Sequence, residues 1–204
     1  LIDIHILCLN FFSIPDASSI HPVKLDVTKD EDPIQAAKIV SQWLNDDSQT
    51  KPRHLHAIIN NAGIGCSGPI DWTPLSDFEN VMEVNYFGVI RTIKAFLPIL
   101  KSQSCSKKYT DARIINMISF AAYASMPGAP AYVISKHALE RFSSTLRLEM
   151  RSFDLSVITL NPSMHKTSML DVCAPQIELK WNNLTAQIQN QYGKDTFHKW
   201  INMT

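Results

Sequence analysis

Short apolar runs alternate with longer helical patterns along this chain, and that alternation constrains its fold more than any other feature. The runs at residues 55–59, 113–118 and 156–160 are rich in Ile, Leu and Val, and helical periodicity fills the segments between them. Strands buried on both faces of a parallel sheet have such continuous apolar runs, and each pair of parallel strands needs a helical crossover. The sequence therefore predicts a doubly wound α/β fold.

Composition and charge narrow the class of protein. A chain of 204 residues that is 45% hydrophobic can bury one core, which favours a single domain over residues 1–204. Lys plus Arg and Asp plus Glu number 19 each, so the formal net charge is zero. The chain therefore has no excess of positive charge that would favour a nucleic-acid partner. The four cysteines are widely spaced and form no metal-binding cluster: Cys8, Cys66, Cys105 and Cys173. We therefore expect free thiols and no metal site.

The remaining elements are assigned from periodicity and capping residues. Residues 2–9 and 23–27 are candidate strands, and the apolar opening is too short to span a bilayer. Asp32 is the predicted N-cap of a helix that has Pro33 at its first position. A second helix covers residues 78–100, with its regular part ending before Pro98. A third runs from Pro130 to about Phe153, and a looser one covers 177–192.

Tyr132 and Lys136 share one face of the third helix because they are four residues apart. A nearby ammonium stabilises a phenolate and lowers the pKa of the tyrosine, which makes a general acid/base for an alcohol or a ketone oxygen. Both residue types are also common on solvated helix surfaces. The pair alone therefore does not separate a catalytic site from an ordinary surface.

Other polar residues favour a site at the carboxyl edge of the sheet, where open parallel sheets bind their ligands. Ser119 ends one buried strand, Asn60-Asn61-Ala62-Gly63 ends another, and Asn85 interrupts the apolar stripe of a helix. Taken singly, Ser119 could be a loop cap, Asn85 a satisfied buried amide, and Asn-Asn-Ala-Gly a turn. Their joint occurrence with Tyr132 and Lys136 favours a functional site.

These motifs together resemble the short-chain dehydrogenase/reductase family. Leu25-Asp26-Val27-Thr28 is similar to the family's acidic turn near the adenine ring, and residues 60–63 match its NNAG element. Residues 84–88 resemble its asparagine helix, and Ser119, Tyr132 and Lys136 match its serine and YxxxK motif. The segments at 134–140 and 181–197 look most like retinol and hydroxysteroid dehydrogenases. The likeness covers roughly residues 23–169.

The resemblance implies a Rossmann-type oxidoreductase that transfers a hydride between NAD or NADP and a hydrophobic alcohol or ketone. Tyr132 would exchange a proton with the substrate, Ser119 would bind its oxygen, and Lys136 would lower the pKa of the tyrosine and bind the nicotinamide ribose. Asn85 would hold a water that links Lys136 to solvent. The implied cofactor contacts are Asp26, Val27, Asn60, Asn61, Ala62, Gly63, Tyr132, Lys136, Pro162 and Thr167.

The chain also departs from the family pattern. No glycine-rich turn precedes Asp26, the first glycine is Gly63, and Ser163 stands where the family usually has glycine. The sequence therefore predicts a fold lacking the first strand and that turn, in a chain truncated at the N-terminus and, before a seventh strand, at the C-terminus. Such a chain would fold and bind cofactor poorly, with Ile58 and Ile114 exposed. A non-catalytic remnant is the rival interpretation.

Several properties stay undecided by the sequence. Asn10 and Phe11, which follow the strand predicted at residues 2–9, do not discriminate NAD from NADP. The resemblance allows a cytoplasmic protein or one associated with the endoplasmic-reticulum membrane, as a monomer or a homo-oligomer. It implies no nucleic-acid partner. The substrate itself depends on loops that vary most within a family.

Overall fold

The structure, a computed structural model, describes residues 22–45, 54–105, 112–163 and 168–202. Seven α-helices and three strands lie within these ranges. In chain order they are α1 (Glu31–Leu44), β1 (Ala57–Asn60), α2 (Leu75–Met82), α3 (Gly88–Cys105), β2 (Arg113–Met117), α4 (Pro130–Met150), β3 (Ser156–Leu160), α5 (Ser168–Asp171), α6 (Cys173–Asn183) and α7 (Ala186–Asn202).

The described strands form a parallel sheet in the order β1-β2-β3. Ile58 is paired with Ile114, and Ile114 with Val157, so neighbouring strands end at the same edge. Helix α3 connects β1 to β2 and α4 connects β2 to β3. Because both crossovers advance in the same direction across the sheet, right-handed connections place both helices on one face. The predicted parallel sheet with flanking helices is confirmed.

The main core lies between that face and helices α1, α3 and α4. Ile58, Ile114 and Val157 point into it and are buried, whereas Arg113, Ile115 and Met117 on the opposite face of β2 are half-buried. The expectation that Ile58 and Ile114 would be exposed is therefore wrong. Side chains alternate between the two faces of a strand, and these two occupy the face that the helices cover.

Neither of the two strands predicted before residue 30 is seen among the residues that the structure describes. The candidate strand at residues 2–9 lies outside the described residues. Residues 23–26 have no regular structure and Val27 lies in a turn, so the strand predicted at 23–27 is not formed, although Leu25 and Val27 are buried. A strand requires a hydrogen-bonded neighbour, and the described strands pair only with one another.

Both predicted helix boundaries that depended on capping and proline need correction. Helix α1 begins at Glu31, and the Asp32 carboxylate accepts a hydrogen bond from Asp26 N at 2.8 Å instead of capping the helix. Helix α3 continues through Pro98 to Cys105. Pro98 lies on the exposed side, while Phe96 and Leu100 are fully buried. We attribute the continuation to this burial, which offsets the backbone hydrogen bond that proline cannot make.

An aromatic cluster joins the last helices to the segment after β1. Trp181 on α6 and Phe197 on α7 stack with centroids 4.9 Å apart, and Trp72 packs against Trp181 at 5.1 Å. The predicted helix at residues 177–192 is thus two helices, α6 and α7, with a non-helical residue at Gly193 inside the second. Within the described parts of the chain, no helix is both long and apolar enough to span a membrane.

Candidate active site

Lys136 is buried on the first turns of α4 and faces the end of β2. Its ammonium donates a hydrogen bond to the Met117 carbonyl oxygen at 2.9 Å. The side chain is only 4% exposed, and burial lowers the pKa of Lys136 to about 8. A lysine in water has a pKa of about 10.4. Burial at this position therefore disfavours the charged form of Lys136. A lysine on a solvent-exposed helix surface does not experience such a shift.

Tyr132 lies one helical turn before Lys136, and the Lys136 Nζ atom is 5.7 Å from the centre of its ring. The tyrosine is half-buried. Ser135 lies between them in sequence and is fully buried; its hydroxyl donates to the Tyr132 carbonyl oxygen at 2.7 Å. The helix spacing predicted from the sequence thus places the ring and the ammonium on one side of α4.

Asn85 connects that helix to the loop after β1. Its Nδ2 atom donates to the Ile64 carbonyl oxygen and to Ser135 Oγ, both at 3.0 Å, and its Oδ1 accepts from Ile64 N at 2.8 Å. Asn85 is completely buried within a π-helical turn, Glu83–Phe87, between α2 and α3. Such single π turns occur frequently at functional sites.

Gly63 brings this amide and Lys136 together. A Cβ atom at Gly63 would lie 3.4 Å from Asn85 Oδ1 and 3.6 Å from Lys136 Nζ. A larger side chain here would fill the space beside the ammonium. The last residue of the Asn-Asn-Ala-Gly element is therefore adjacent to both Asn85 and Lys136, as the common sheet edge led us to expect.

Ser119 follows β2 and starts a short 3₁₀ turn. Its hydroxyl oxygen accepts a hydrogen bond from Ala121 N at 3.1 Å, so Ser119 does cap this turn, as the alternative interpretation of the residue held. This bond leaves the hydroxyl proton available for another acceptor. Phe120 N donates to the Pro162 carbonyl oxygen at 3.0 Å, which ties the segment after β3 to this turn.

Asn60 belongs to a buried polar chain that crosses the sheet. Its Nδ2 donates to Asn116 Oδ1 at 2.8 Å, and Asn116 Nδ2 donates to Ser143 Oγ on α4, also at 2.8 Å. All three side chains are buried. Asn60 thus links β1, β2 and α4, whereas its neighbour Asn61 is exposed and Ala62 packs against the core.

Asp26 and Val27 lie in the segment that precedes α1. Thr28 donates to Asp26 Oδ1 through its backbone N at 2.9 Å and its hydroxyl at 2.7 Å, and the side-chain bond lowers the pKa of Asp26. Val27 is buried against Gly88, where a Cβ would approach Val27 to 2.8 Å.

The predicted cofactor contacts after β3 are less well defined. Pro162 and its neighbour Ser163 are exposed. Thr167 lies outside the described residues.

Sequence reasoning missed three participants. Ser135 could have been found, since it is a small polar residue on the same side of α4 as the tyrosine and the lysine. The Met117 and Ile64 contacts are made by backbone atoms, which carry no signature in the sequence. The π turn at Asn85 was indicated only indirectly, by an amide in an apolar stripe close to Gly88.

Comparison with known proteins identifies the family. The family profile described as short chain dehydrogenase matches residues 13–177. The chain belongs to this family. It is 33% identical over 179 residues to mouse short-chain dehydrogenase/reductase family 9C member 7, an alignment covering 86% of this chain and 53% of the relative. It is 31% identical over 179 residues to a Caenorhabditis elegans 3beta-hydroxysteroid dehydrogenase, covering 86% and 43%.

A solved structure supports the same assignment. The chain resembles a short chain dehydrogenase from Burkholderia cenocepacia, determined in complex with NADP, with a TM-score of 0.61 and 29% identity. That likeness covers 72% of this chain and 55% of the other. The chain spans about half the length of the curated relatives it matches. The family is NAD(P)-dependent, which agrees with the cofactor that the motifs implied.

Lys136 has donors that could hold a hydroxyl-bearing part of such a cofactor, such as a ribose. An ammonium has three N–H donors, and the bond to Met117 uses one of them. Gly63 has no side chain, and a Cβ there would already be in contact with Nζ at 3.6 Å. Lys136 and Tyr132 are the residues that would hold the ribose, and Asp26 and Asn61 have the polarity to contact more distant parts of the dinucleotide.

The burial of Lys136 makes a testable prediction about stability. Because its pKa is about 8 in the folded protein and about 10.4 in an unfolded chain, the unfolded state binds more protons between these pH values. Its burial penalty is thus fully present below about pH 8 and disappears as the pH rises towards about 10.4. We expect Lys136→Met to increase the free energy of unfolding by about 1–3 kcal/mol at pH 7.

Denaturant unfolding at pH 7 and at pH 10 checks this expectation, and the gain should shrink at the higher pH. Lys94→Met is the matched control, because Lys94 is exposed on α3. That variant should change stability by no more than about 0.5 kcal/mol at either pH. A destabilised Lys136→Met variant at pH 7 would contradict the predicted penalty.

Proposed function

We propose that this chain carries the catalytic half of an NAD(P)-dependent dehydrogenase/reductase that acts on a hydrophobic alcohol or its carbonyl product. The single observation that carries the proposal is the buried ammonium of Lys136, held by Met117 beside Gly63 and on the same face of α4 as Tyr132. A buried cation near a phenol favours the phenolate, which is the form needed to accept an alcohol proton.

Tyr132 is the proposed general acid/base. In oxidation, its phenolate accepts the hydroxyl proton of the substrate as the carbinol carbon loses a hydride, and in reduction its phenol returns that proton to the carbonyl oxygen. A bound nicotinamide supplies the hydride acceptor or donor. The proposed role of Ser119 is to donate its hydroxyl proton as a hydrogen bond to the same oxygen, which aligns the substrate.

Asn85 and Lys136 have supporting roles in this proposal. Asn85 fixes the loop at Ile64 against Ser135, and thus keeps Gly63 close to Lys136 Nζ. Lys136 stabilises the phenolate and binds ribose hydroxyls with its remaining donors. The water that the resemblance assigns to Asn85 would continue the path of the proton to solvent. Asp26 and Val27 are proposed to contact the adenine end, and Pro162 and Thr167 the nicotinamide end.

The apolar surroundings of the site support a hydrophobic substrate. Met169 on α5 packs over Gly65, where a Cβ would lie 3.1 Å from its Cγ. Cys66, Val81 and Ala131 form a small buried cluster next to Ile64. The names of the relatives, which include a hydroxysteroid dehydrogenase, point to the same class. We therefore favour a retinoid- or steroid-like alcohol over a small polar one.

A substrate series tests this proposal. Initial rates of NAD- and NADP-linked oxidation are measured with a steroid alcohol, retinol, a medium-chain alcohol and glycerol. We expect kcat/KM to be higher for the steroid or retinol than for glycerol by at least about 100-fold, since each buried methylene contributes about 0.8 kcal/mol. Equal rates, or a preference for glycerol, would contradict the substrate class. No turnover of any alcohol, with cofactor bound, would favour the non-catalytic remnant.

A further inference from the structure

A second group of reactive side chains lies outside the proposed catalytic residues. Lys180 Nζ on α6 is 3.1 Å from Cys66 Sγ and 2.8 Å from Asp77 Oδ2 on α2. The Cys66 thiol also lies 3.5 Å from the same carboxylate oxygen. Cys66 and Lys180 are 114 residues apart in sequence, so only the fold brings the thiol and the amine together.

The surroundings hold this pair in place. Lys180 Nζ donates a further hydrogen bond to the Ser67 carbonyl oxygen at 2.7 Å, and the Gln176 side chain accepts from Ser67 N at 3.0 Å. Cys66 is 6% exposed, and the side chains of Lys180 and Asp77 are 11% and 31% exposed. The cluster is therefore mostly enclosed, and Asp77 is its most exposed member.

We propose that Cys66 and Lys180 are an oxidation-dependent cross-linking site, in which a peroxide converts their non-covalent contact into a sulfur–nitrogen bond. This inference does not rest on the proposed hydride chemistry. Sulfenic acids condense with nitrogen nucleophiles to form sulfenamides. The short Sγ–Nζ distance gives this condensation the advantage of proximity over attack by a thiol from solution.

The reaction balances with one molecule of hydrogen peroxide. The Cys66 thiol releases its proton to solvent, and the resulting thiolate attacks one peroxide oxygen. The O–O bond breaks, and the departing hydroxide takes a proton from the Lys180 ammonium to form water. The neutral amine then attacks the sulfenic sulfur, the S–O bond breaks, and the hydroxyl group leaves as a second water with another amine proton. Sulfur loses two electrons and the peroxide gains them.

The environment of Cys66 sets the rate and the product of this reaction. Burial raises the pKa of the Cys66 thiol, and the hydrogen bond and charge of Lys180 offset part of that rise. We therefore expect Cys66 to react more slowly than an exposed, acidic thiol. Once oxidised, however, it has an amine in contact with its sulfur, which diverts the product from sulfinic acid to the cross-link.

The cross-link would fix α6 to the loop after β1. That loop includes Gly63, which lies beside Lys136, and Ile64, which is bonded to Asn85. Met169 and Gln176 contact the same loop from α5 and α6. Oxidation would therefore lock these helices against the loop and restrict movement at the edge of the candidate site. Reduction by a thiol would release them.

Peptide mapping of the peroxide-treated chain tests the proposal. The purified chain is treated with hydrogen peroxide, digested without reductant, and analysed by mass spectrometry. We expect one cross-linked peptide pair containing Cys66 and Lys180, lighter by two hydrogen atoms than the sum of its parts and separated by dithiothreitol. Treatment in guanidinium chloride should abolish it, because unfolding separates the two residues.

Two variants and an internal thiol serve as controls. Lys180→Arg keeps the positive charge next to Asp77 but removes the amine, and should lower the yield of the cross-linked pair by at least about tenfold. Cys66→Ser should abolish it. Cys173, whose thiol contacts the Met169 carbonyl oxygen at 3.3 Å, should form no bond to lysine.

The peptide map of the peroxide-treated wild-type chain tests the proposal even if a variant fails to fold. Cys66 recovered only as free thiol or as sulfinic acid, with no peptide joined to Lys180, would overturn the proposal. A pair heavier by one oxygen atom than the sulfur–nitrogen product would overturn the proposed bond.

Discussion

Tyr132→Phe should lower kcat by about 10²–10⁴-fold, because a general acid/base group typically contributes that much to the rate. The substitution removes only the phenolic oxygen, and the half-buried ring keeps its packing on α4. We expect thermal unfolding of the variant to match wild type within a few degrees. The rate is measured with the best substrate of the alcohol series, under conditions in which the parent protein is active.

Tyr192→Phe is the matched control. Tyr192 lies on α7 and its hydroxyl donates to Asp71 Oδ2 at 2.8 Å, so the same atom is removed from a tyrosine outside the proposed catalytic group. This variant should retain kcat within about threefold, as expected for loss of a surface hydrogen bond. Tyr132→Phe activity within about tenfold of wild type would reject Tyr132 as the general acid/base.

Asn85→Leu should lower the free energy of unfolding by about 3–5 kcal/mol. The side chain makes three hydrogen bonds in a site with no solvent exposure, to both backbone groups of Ile64 and to Ser135. Leucine leaves both Ile64 backbone groups without these partners, whereas the Ser135 hydroxyl keeps its bond to the Tyr132 carbonyl oxygen. Each buried polar group without a partner costs about 1–3 kcal/mol. Denaturant unfolding measures the loss.

The control for that variant is Asn80→Leu, on α2 and exposed. It should change stability by no more than about 0.5 kcal/mol. An Asn85→Leu variant as stable as wild type would show that the π turn tolerates an apolar residue and that the Ile64 contacts contribute little.

The strand and helix order was predictable wherever one pattern dominated. Residues 156–160 and the start of the long helix at Pro130 agree with β3 and α4, because each has a strong local signal. Pro98 misled the prediction, since burial of Phe96 and Leu100 on the same helix outweighs its local effect. Residues 23–27 failed as a strand because strand formation depends on a partner elsewhere in the chain.

The candidate site was also predictable only where a local sequence pattern was present. Spacing alone predicted that Tyr132 and Lys136 share a face, and the strand ends predicted that Gly63 lies near them. The depth of Lys136 and its bond to Met117 depend on how α4 packs against β2, which no local pattern encodes. The Cys66–Lys180 contact is likewise invisible in the sequence, since α6 and the loop after β1 meet only in the folded chain.

Transfer of deuterium from the substrate to the cofactor is the most direct test of the central claim that this site catalyses hydride transfer. The best alcohol of the series is labelled with deuterium at its carbinol carbon and incubated with the protein and oxidised cofactor. Mass spectrometry of the cofactor should show one deuterium on the reduced nicotinamide, formed at a rate that falls about 10²–10⁴-fold in Tyr132→Phe. Reduced cofactor without deuterium, or deuterium transfer that proceeds equally well in Tyr132→Phe, would contradict it.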